Sequence, residues 1–430
     1  MSDTSAVRLP EEEWRNGQRE GLARLHREDP RFAELLTSQP RPGDVRFVES
    51  LLPQPVRDDP ALRAMVRASA TAAAIGLRLV DEQFGRDANR PKVHDGAVHR
   101  GVPHTYHNGT HTRDVVRESV AYAVNAPTGA LTPREVVTLP IAAAFHDVVQ
   151  GHGRGADESM SAALAVDVMG RTGFPFTARD RAGVYQAVMA TSFNEQTKGQ
   201  SIDPAKPGLH MQIAVATGDL AGLARPEGPA QGVYLAVEEF AKHANRFGVD
   251  LGQSLRQAGV DTRGWSARGY MEFIGSDPGL NNAFAAHLKG QAGFFRAHRY
   301  PSPETDARLG FREANARLLD TLNAKVETEH ISPQQVSDGT RIHRTLSTSS
   351  TFTQPIGWAS YAAGAHEPTH PAVVKAITAG FSSPPAIKPS MTHQRQSPAA
   401  VNTSPARDAV RGISPHKAVS DRQLSRDKFL

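Results

Sequence analysis

The chain of 430 residues contains no cysteine. That absence excludes a disulfide-stapled scaffold, a thiolate-ligated zinc site and a thiol nucleophile, and it fits a reducing compartment. Apolar residues are scarce as well, at 39%. This is below the usual globular share, so part of the chain is expected not to fold. No run approaches the roughly 18 apolar residues of a membrane span. The longest candidates, Thr71–Val80 and Leu139–Val149, are short and contain Arg78, His146 and Asp147. The first residues, "MSDTSAVRLPEEEWRNG", lack the apolar core of a Sec-type signal. No internal repeat is found.

A uniform charge excess is missing too. The net charge is +4, but from Arg341 onward 11 basic residues face 4 acidic ones, while the rest holds 38 basic and 41 acidic residues. The basic character therefore belongs to the end of the chain. It is no argument that the folded part binds a nucleic-acid polymer, and neither such a partner nor a membrane is expected.

What is present is mostly helical pattern. Residues 11–37 read as one or two polar helices. A long helix starts at Asp59-Pro60 and stops at Gly85. A Gly- and His-rich loop covers 86–106. Five helical patterns follow at about 109–124, 133–150, 157–170, 178–192 and 208–223, with more helix at 230–246 and 310–328. Thr132-Pro133-Arg134-Glu135 is a strong helix start. Strand alternation is weak throughout. The expected architecture is all-α: a polar, partly helical segment over 1–45, a helical body over 46–330, and a tail over 331–430. That tail is rich in Ser, Thr and Pro, and cannot bury enough apolar area to offset its ordering entropy. It is expected to be mainly disordered, with at most a short helix at 371–380, and is the place where a protein partner would bind.

Ionisable residues stand where they are expensive. His107 and His111 are four apart at a helix start, so they share a face. Taken alone, such histidines are commonly solvated. His146 and Asp147 lie among Ile141, Ala142, Ala144, Phe145, Val148 and Val149. An ionised carboxylate there costs several kcal/mol unless it is paired or metal-bound. Asp219 adjoins the apolar stripe of Leu209, Ile213, Ala216 and Leu220, though a lone helical acid is more often a surface residue.

The order of these pieces resembles the HD-domain metal-dependent phosphohydrolases from about residue 93 to 225. "YHNGTHTRDV" matches the "YHNxxHxxDV" signature of the class I cyclic-nucleotide phosphodiesterases at every defined position. "FHDVVQGHGRGADESMSAALA" is closer to a bacterial group of HD phosphohydrolases, and "GDLAGLARPEGPAQGVYLAVEEFAK" and "REANARLLDTL" extend that likeness loosely to about residue 325. The resemblance implies an HD-type helical bundle. By position it makes His111, His146, Asp147 and Asp219 the ligands of one or two divalent ions (Zn, Fe, Mn or Mg), with Asp147 also catalytic. It makes His107 the general acid that protonates the leaving oxygen.

The sequence departs from the phosphodiesterase pattern in places. Gln150 stands where those enzymes have a further His, leaving His152 or Glu158 to serve a second ion. Ser192 stands where they have Asp. "GQAGFFRAH" is similar to their purine-binding stretch, which would give Gln291 and Phe294 to the substrate. Two look-alikes are set aside. His94-Asp95 lies in the loop. "HEPTH" at His366–His370 carries Pro368, which breaks the helix a zinc-protease motif needs.

The expected function is hydrolysis of a small-molecule phosphoester, a nucleotide or cyclic nucleotide. The alternative is a catalytically idle HD scaffold that binds a nucleotide or a protein. The expected location is the cytoplasm. Export into a host cell by a dedicated secretion system is the alternative, suggested by the polar start and the Ser/Thr/Pro tail.

Overall fold

Thr132 and Glu135 close a capping box: the Thr132 side chain accepts from the Glu135 N–H, and Glu135 accepts from the Thr132 N–H at 2.8 Å. The helix behind them, Pro133–Phe145, is buried from Val136 to its end and forms the axis of the fold. A computed structural model of the chain describes residues 10–336 apart from 31, 38, 85–90, 95–96, 101–103, 195, 225–227, 260–266, 302–311 and 330. The expected tail beyond 336, the 371–380 helix and the His366–His370 motif lie outside the described residues.

The helices in chain order are α1 (Pro10–Glu28), α2 (Phe32–Leu35), α3 (Pro42–Leu51), α4 (Gln54–Arg57), α5 (Arg63–Phe84), α6 (Gly109–Asn125), α7 (Pro133–Phe145), α8 (Ala156–Arg171), α9 (Ala178–Met189) and α10 (Leu209–Ala221). They continue as α11 (Gly228–His243), α12 (Leu251–Gln257), α13 (Ala267–Ser276), α14 (Pro278–Ala297) and α15 (Arg312–Glu329). The protein is thus all-α in class. Two antiparallel hairpins interrupt it. β1 (Pro91–His94) pairs with β2 (Ala97–Arg100) inside the stretch expected to be loop, and β3 (Phe193–Asn194) pairs with β4 (Gly199–Gln200). No described helix is long and apolar enough to cross a membrane.

Helices α5, α6, α8, α9 and α10 surround α7, and α1 packs on α8 and α9. Trp14 and Leu25 of α1 are buried, so the polar N-terminal segment adds its apolar side to the core. A second group, α11, α13, α14 and α15, packs around α14. Asp277 caps α14 and Pro278 follows at its first position, a start signal like that of α7 in a helix the sequence reading left out. Ile331 and Val336 are buried, and Asn281 donates to the Ile331 carbonyl at 3.4 Å. The packed body therefore runs to Val336, beyond the boundary expected at 330.

Two close approaches set how the helices cross. A Cβ on Gly76 of α5 would lie 2.8 Å from the Phe145 ring and 2.9 Å from the Ala144 carbonyl, so α5 presses on the last turn of α7. A Cβ on Gly218 of α10 would lie 2.7 Å from Ser119 Oγ and 3.0 Å from the Val115 carbonyl of α6. The first contact seats the end of α7 on α5, and the second seats the end of α10 on the middle of α6.

Candidate metal centre

His111 sits in the first turn of α6. Asn108 caps that helix, its side chain accepting from the N–H groups of Thr110 at 2.9 Å and His111 at 3.3 Å. Arg113, one half-turn on, is clamped by Asp81 at 2.7 Å and Asp44 at 3.0 Å, which ties α6 to α5 and α3. Gly109 is required here. A Cβ on it would collide with Asp81 Oδ1 at 1.7 Å.

His146 and Asp147 were expected inside a helix reaching 150. Instead α7 ends at Phe145, His146 is its C-cap and Asp147 lies in the turn beyond. Val148 and Val149 are buried as loop residues, so they continue the apolar pattern without continuing the helix. The His146 Nδ1–H donates to the Ala143 carbonyl at 2.8 Å. That bond satisfies an end carbonyl of the helix and points Nε2 at His111, Asp147 and Asp219.

Asp219 comes from the last turn of α10. Its Oδ2 accepts from Gln200 Nε2 at 2.9 Å, and Tyr106 OH donates to its main-chain carbonyl at 3.2 Å. Its Oδ1 lies 3.3 Å from His111 Nε2 and 3.6 Å from His146 Nε2. Asp147 Oδ2 lies 3.0 Å from His146 Nε2 and 3.6 Å from His111 Nε2. The two Nε2 atoms are 3.4 Å apart.

His111, His146, Asp147 and Asp219 therefore form a group that could hold a metal ion, each offering one atom within 4.8 Å of the others. The spacing suits the task. Donors about 2.0–2.1 Å from an ion stand roughly 2.9–3.4 Å apart in right-angled to tetrahedral arrangements. The chemistry suits it as well. Asp147 Oδ2 is buried and accepts no hydrogen bond, because its 3.0 Å approach to His146 lacks hydrogen-bond alignment. The negative end of α7 adds a further attraction for a cation.

Electrostatics say the same. Burial would push the Asp147 carboxyl up, but the charges of His146 and His107 outweigh it and hold it well below the usual range. Burial is likewise outweighed at Asp219, where contacts with His111 and His146 hold the carboxyl at about 2. Burial depresses the His146 imidazolium, yet the charges of Asp147 and Asp219 lift it well above its ordinary value. Two ionised carboxylates in a buried pocket draw a positive charge, whether a proton on imidazole or a metal ion.

His107 lies outside α6, just before the cap. Its Nδ1 is 3.0 Å from Glu238 Oε1, and its ring meets that of His111 edge-on at 5.9 Å between centroids. Glu238, on α11, has a side chain only 1% exposed, and its Oε2 accepts from the N–H groups of Tyr106 at 2.8 Å and His107 at 3.2 Å. Burial pushes the His107 pKa down. The Glu238 charge, with Asp147 behind it, more than reverses this and lifts it to about 9. His107 is thus held as an imidazolium beside the group of four.

The other site residues read from the sequence are placed elsewhere. His152 Nδ1 pairs with Glu28 of α1 at 3.0 Å, and Glu158 accepts from the Gly155 N–H at 2.6 Å, closing a cap on α8. Neither joins the group of four. Gln150 turns back to the Asp147 carbonyl at 3.4 Å. Gln291 and Phe294 lie late in α14. Phe294 meets Phe193 edge-on at 5.3 Å, and Gln291 Oε1 is buried without a hydrogen-bond partner. Phe193 pairs with Gln200 across the β3–β4 hairpin, so Phe294 is linked through them to Asp219.

Glu238 and Gln200 were not singled out in the sequence. Glu238 carried a signal, an acid flanked by Val237 and Phe240 in an apolar helix, the same anomaly that marked Asp147. Gln200 carried none. Compared with protein-family models, curated proteins and solved structures, the chain matches none of them.

Proposed function

We propose that the chain is a metal-dependent phosphohydrolase of the HD type that acts on a nucleotide or cyclic nucleotide. One observation carries this reading. Two imidazoles and two carboxylates converge from α6, α7 and α10, and a third imidazole, His107, stands beside them on its own carboxylate.

Each residue has a task in this reading. His111, His146, Asp147 and Asp219 hold a divalent ion, with Zn, Fe and Mn suited to the mixed nitrogen and oxygen donors and Mg to an oxygen-rich second position. When bound, that ion supplies Lewis acidity and lowers the pKa of a water to near neutrality. His107 donates its Nε2 proton to the departing alkoxide, because Glu238 occupies Nδ1 and keeps the ring charged. Gln200 restrains Asp219 by its second oxygen, so that Oδ1 faces the imidazoles. The edge-on Phe193–Phe294 pair, joined to Asp219 through Gln200, would be the surface for a base. With His152 paired to Glu28 of α1 and Glu158 capping α8, the reading favours one protein-held ion over two.

The test is an activity screen of the purified chain over nucleotides and cyclic nucleotides, with Mn, Mg, Fe and Zn supplied in turn. Turnover that requires metal and disappears in Asp147→Ala supports the reading. Metal bound tightly with no turnover on any phosphoester would instead favour an idle scaffold.

A further inference from the structure

Glu238 is shared. Its Oε1 lies 3.0 Å from His107 Nδ1 and also 2.8 Å from Nδ1 of a second histidine, His104. The His104 side chain is 3% exposed and its ring rests on Phe84 at 4.2 Å between centroids. With the Tyr106 and His107 N–H groups on Oε2, four nitrogens surround one carboxylate. Three of these are hydrogen bonds, and His104 Nδ1 adds a close ion-pair contact outside hydrogen-bond alignment, so Glu238 is enclosed on both oxygens.

We propose that His104 is a positioning residue for His107, holding the shared Glu238 carboxylate in the one orientation that meets the His107 ring. This rests on the general-acid reading above. The two backbone donors fix Oε2, but they leave the carboxylate plane free to turn about its last side-chain bond. A single contact from His107, itself a side chain on a loop, does not stop that turn. A second imidazole on Oε1 does, because rotation would break both contacts at once. His104 is braced for the purpose. It is packed against the end of α5, while Thr105 beside it donates from Oγ1 to the Tyr234 carbonyl of α11. The loop bearing all three residues is thereby fastened to the helix that bears Glu238. His104 is not one of the four residues grouped around the candidate metal position, and its contact with Glu238 gives it a route to His107.

The experiment compares His104→Leu and His104→Asn in the full-length, metal-loaded protein. An Asn amide can stand where the imidazole Nδ1 meets Oε1, and Leu offers no polar contact there. His104→Leu should lower kcat about 10- to 100-fold, the usual range for residues one contact removed from a functional side chain. KM and metal content should stay near wild type. His104→Asn should recover most of the lost rate. The loss in His104→Leu should shrink on a nitrophenyl phosphoester, whose leaving group needs little protonation. A structural role would not produce that substrate dependence. In parallel, nitrogen-15 spectra of histidine-labelled protein report the His107 Nδ1–H directly. That signal should be downfield and slow to exchange in wild type and His104→Asn, and broadened or shifted in His104→Leu. An unchanged His107 signal in His104→Leu, or equal rate loss in the Leu and Asn variants on every substrate, overturns the proposal. Absence of phosphoester turnover in the wild type would overturn the reaction instead, and the spectra would still decide whether His104 holds the pair.

Discussion

The Nδ1–H of His146 donates to the carbonyl oxygen of Ala143, three residues earlier on the same helix. That bond turns Nε2 toward an Asp147 oxygen 3.0 Å away that has no hydrogen bond of its own. The two carboxylates beside it hold a proton on the His146 ring in the metal-free protein, and a metal ion would take that proton's place. Adding Mn or Zn to metal-free protein should therefore raise its melting temperature, by about 2.7 kcal/mol of stabilisation at a hundred times the dissociation constant. Asp147→Ala should remove that rise and lower bound metal, measured by elemental analysis. Undiminished metal content in this variant would mean that the four residues are not the ligands.

His107→Ala and His111→Ala should behave differently although they are one helical turn apart. His111 belongs to the metal group and His107 does not. His107→Ala should lower kcat about 100- to 10,000-fold with metal retained. His111→Ala should lose both. A nitrophenyl substrate should partly rescue only His107→Ala. Loss of metal from His107→Ala would make His107 a ligand and end its role as an acid.

The pairing of His107 with Glu238 has a pH signature. The folded His107 pKa is about 9, against about 6.5 for an ordinary histidine. Its contribution to stability is complete below about pH 6.5 and is lost as the pH rises through about 9. Metal-free wild type should thus lose melting temperature over that window. His146, also raised, contributes with the same sign. The measurement is therefore the difference between wild type and Glu238→Gln, in which the slope should be shallower. Identical slopes would show that the two side chains exchange no charge.

Gly218 touches no ligand atom, yet it sets how closely α10 meets α6. Gly218→Val should push Asp219 away from His111. We expect lower metal affinity together with a lower melting temperature, whereas Gly170→Ala, where a Cβ meets nothing within 4 Å, should change neither. Unaltered metal affinity in Gly218→Val would show that Asp219 is not held by this crossing.

The legible part of the site was local. Tyr106, His107, Asn108 and His111 fall within six residues, and the Asn cap explains their order. His146-Asp147 stood out because ionisable groups interrupt an apolar run. Where that run ceases to be helix was not legible, since Val148 and Val149 are as buried as the helix before them. Glu238 is 131 residues from His107, and no spacing rule connects them. Gln200 reaches Asp219 from a two-residue strand too short to leave a periodic trace. Sequence patterns mark groups that are costly to bury, while the partners that offset the cost come from elsewhere in the chain.

Asn108 joins the two parts of the motif, its amide donating to the His104 and Thr105 carbonyls and its oxygen capping α6. Behind it, His111 moves with α6, which Arg113 locks to Asp44 and Asp81. Ahead of it, His107 rides on a loop moored to α11 through Glu238 and through the Thr105 contact with Tyr234. In the proposed function the seat of the ion would answer to α6 and the source of the proton to α11, with the Asn108 cap as the joint between them. A displacement of α11 would then move the proton donor more than the ion, and such a protein could be idled without being emptied.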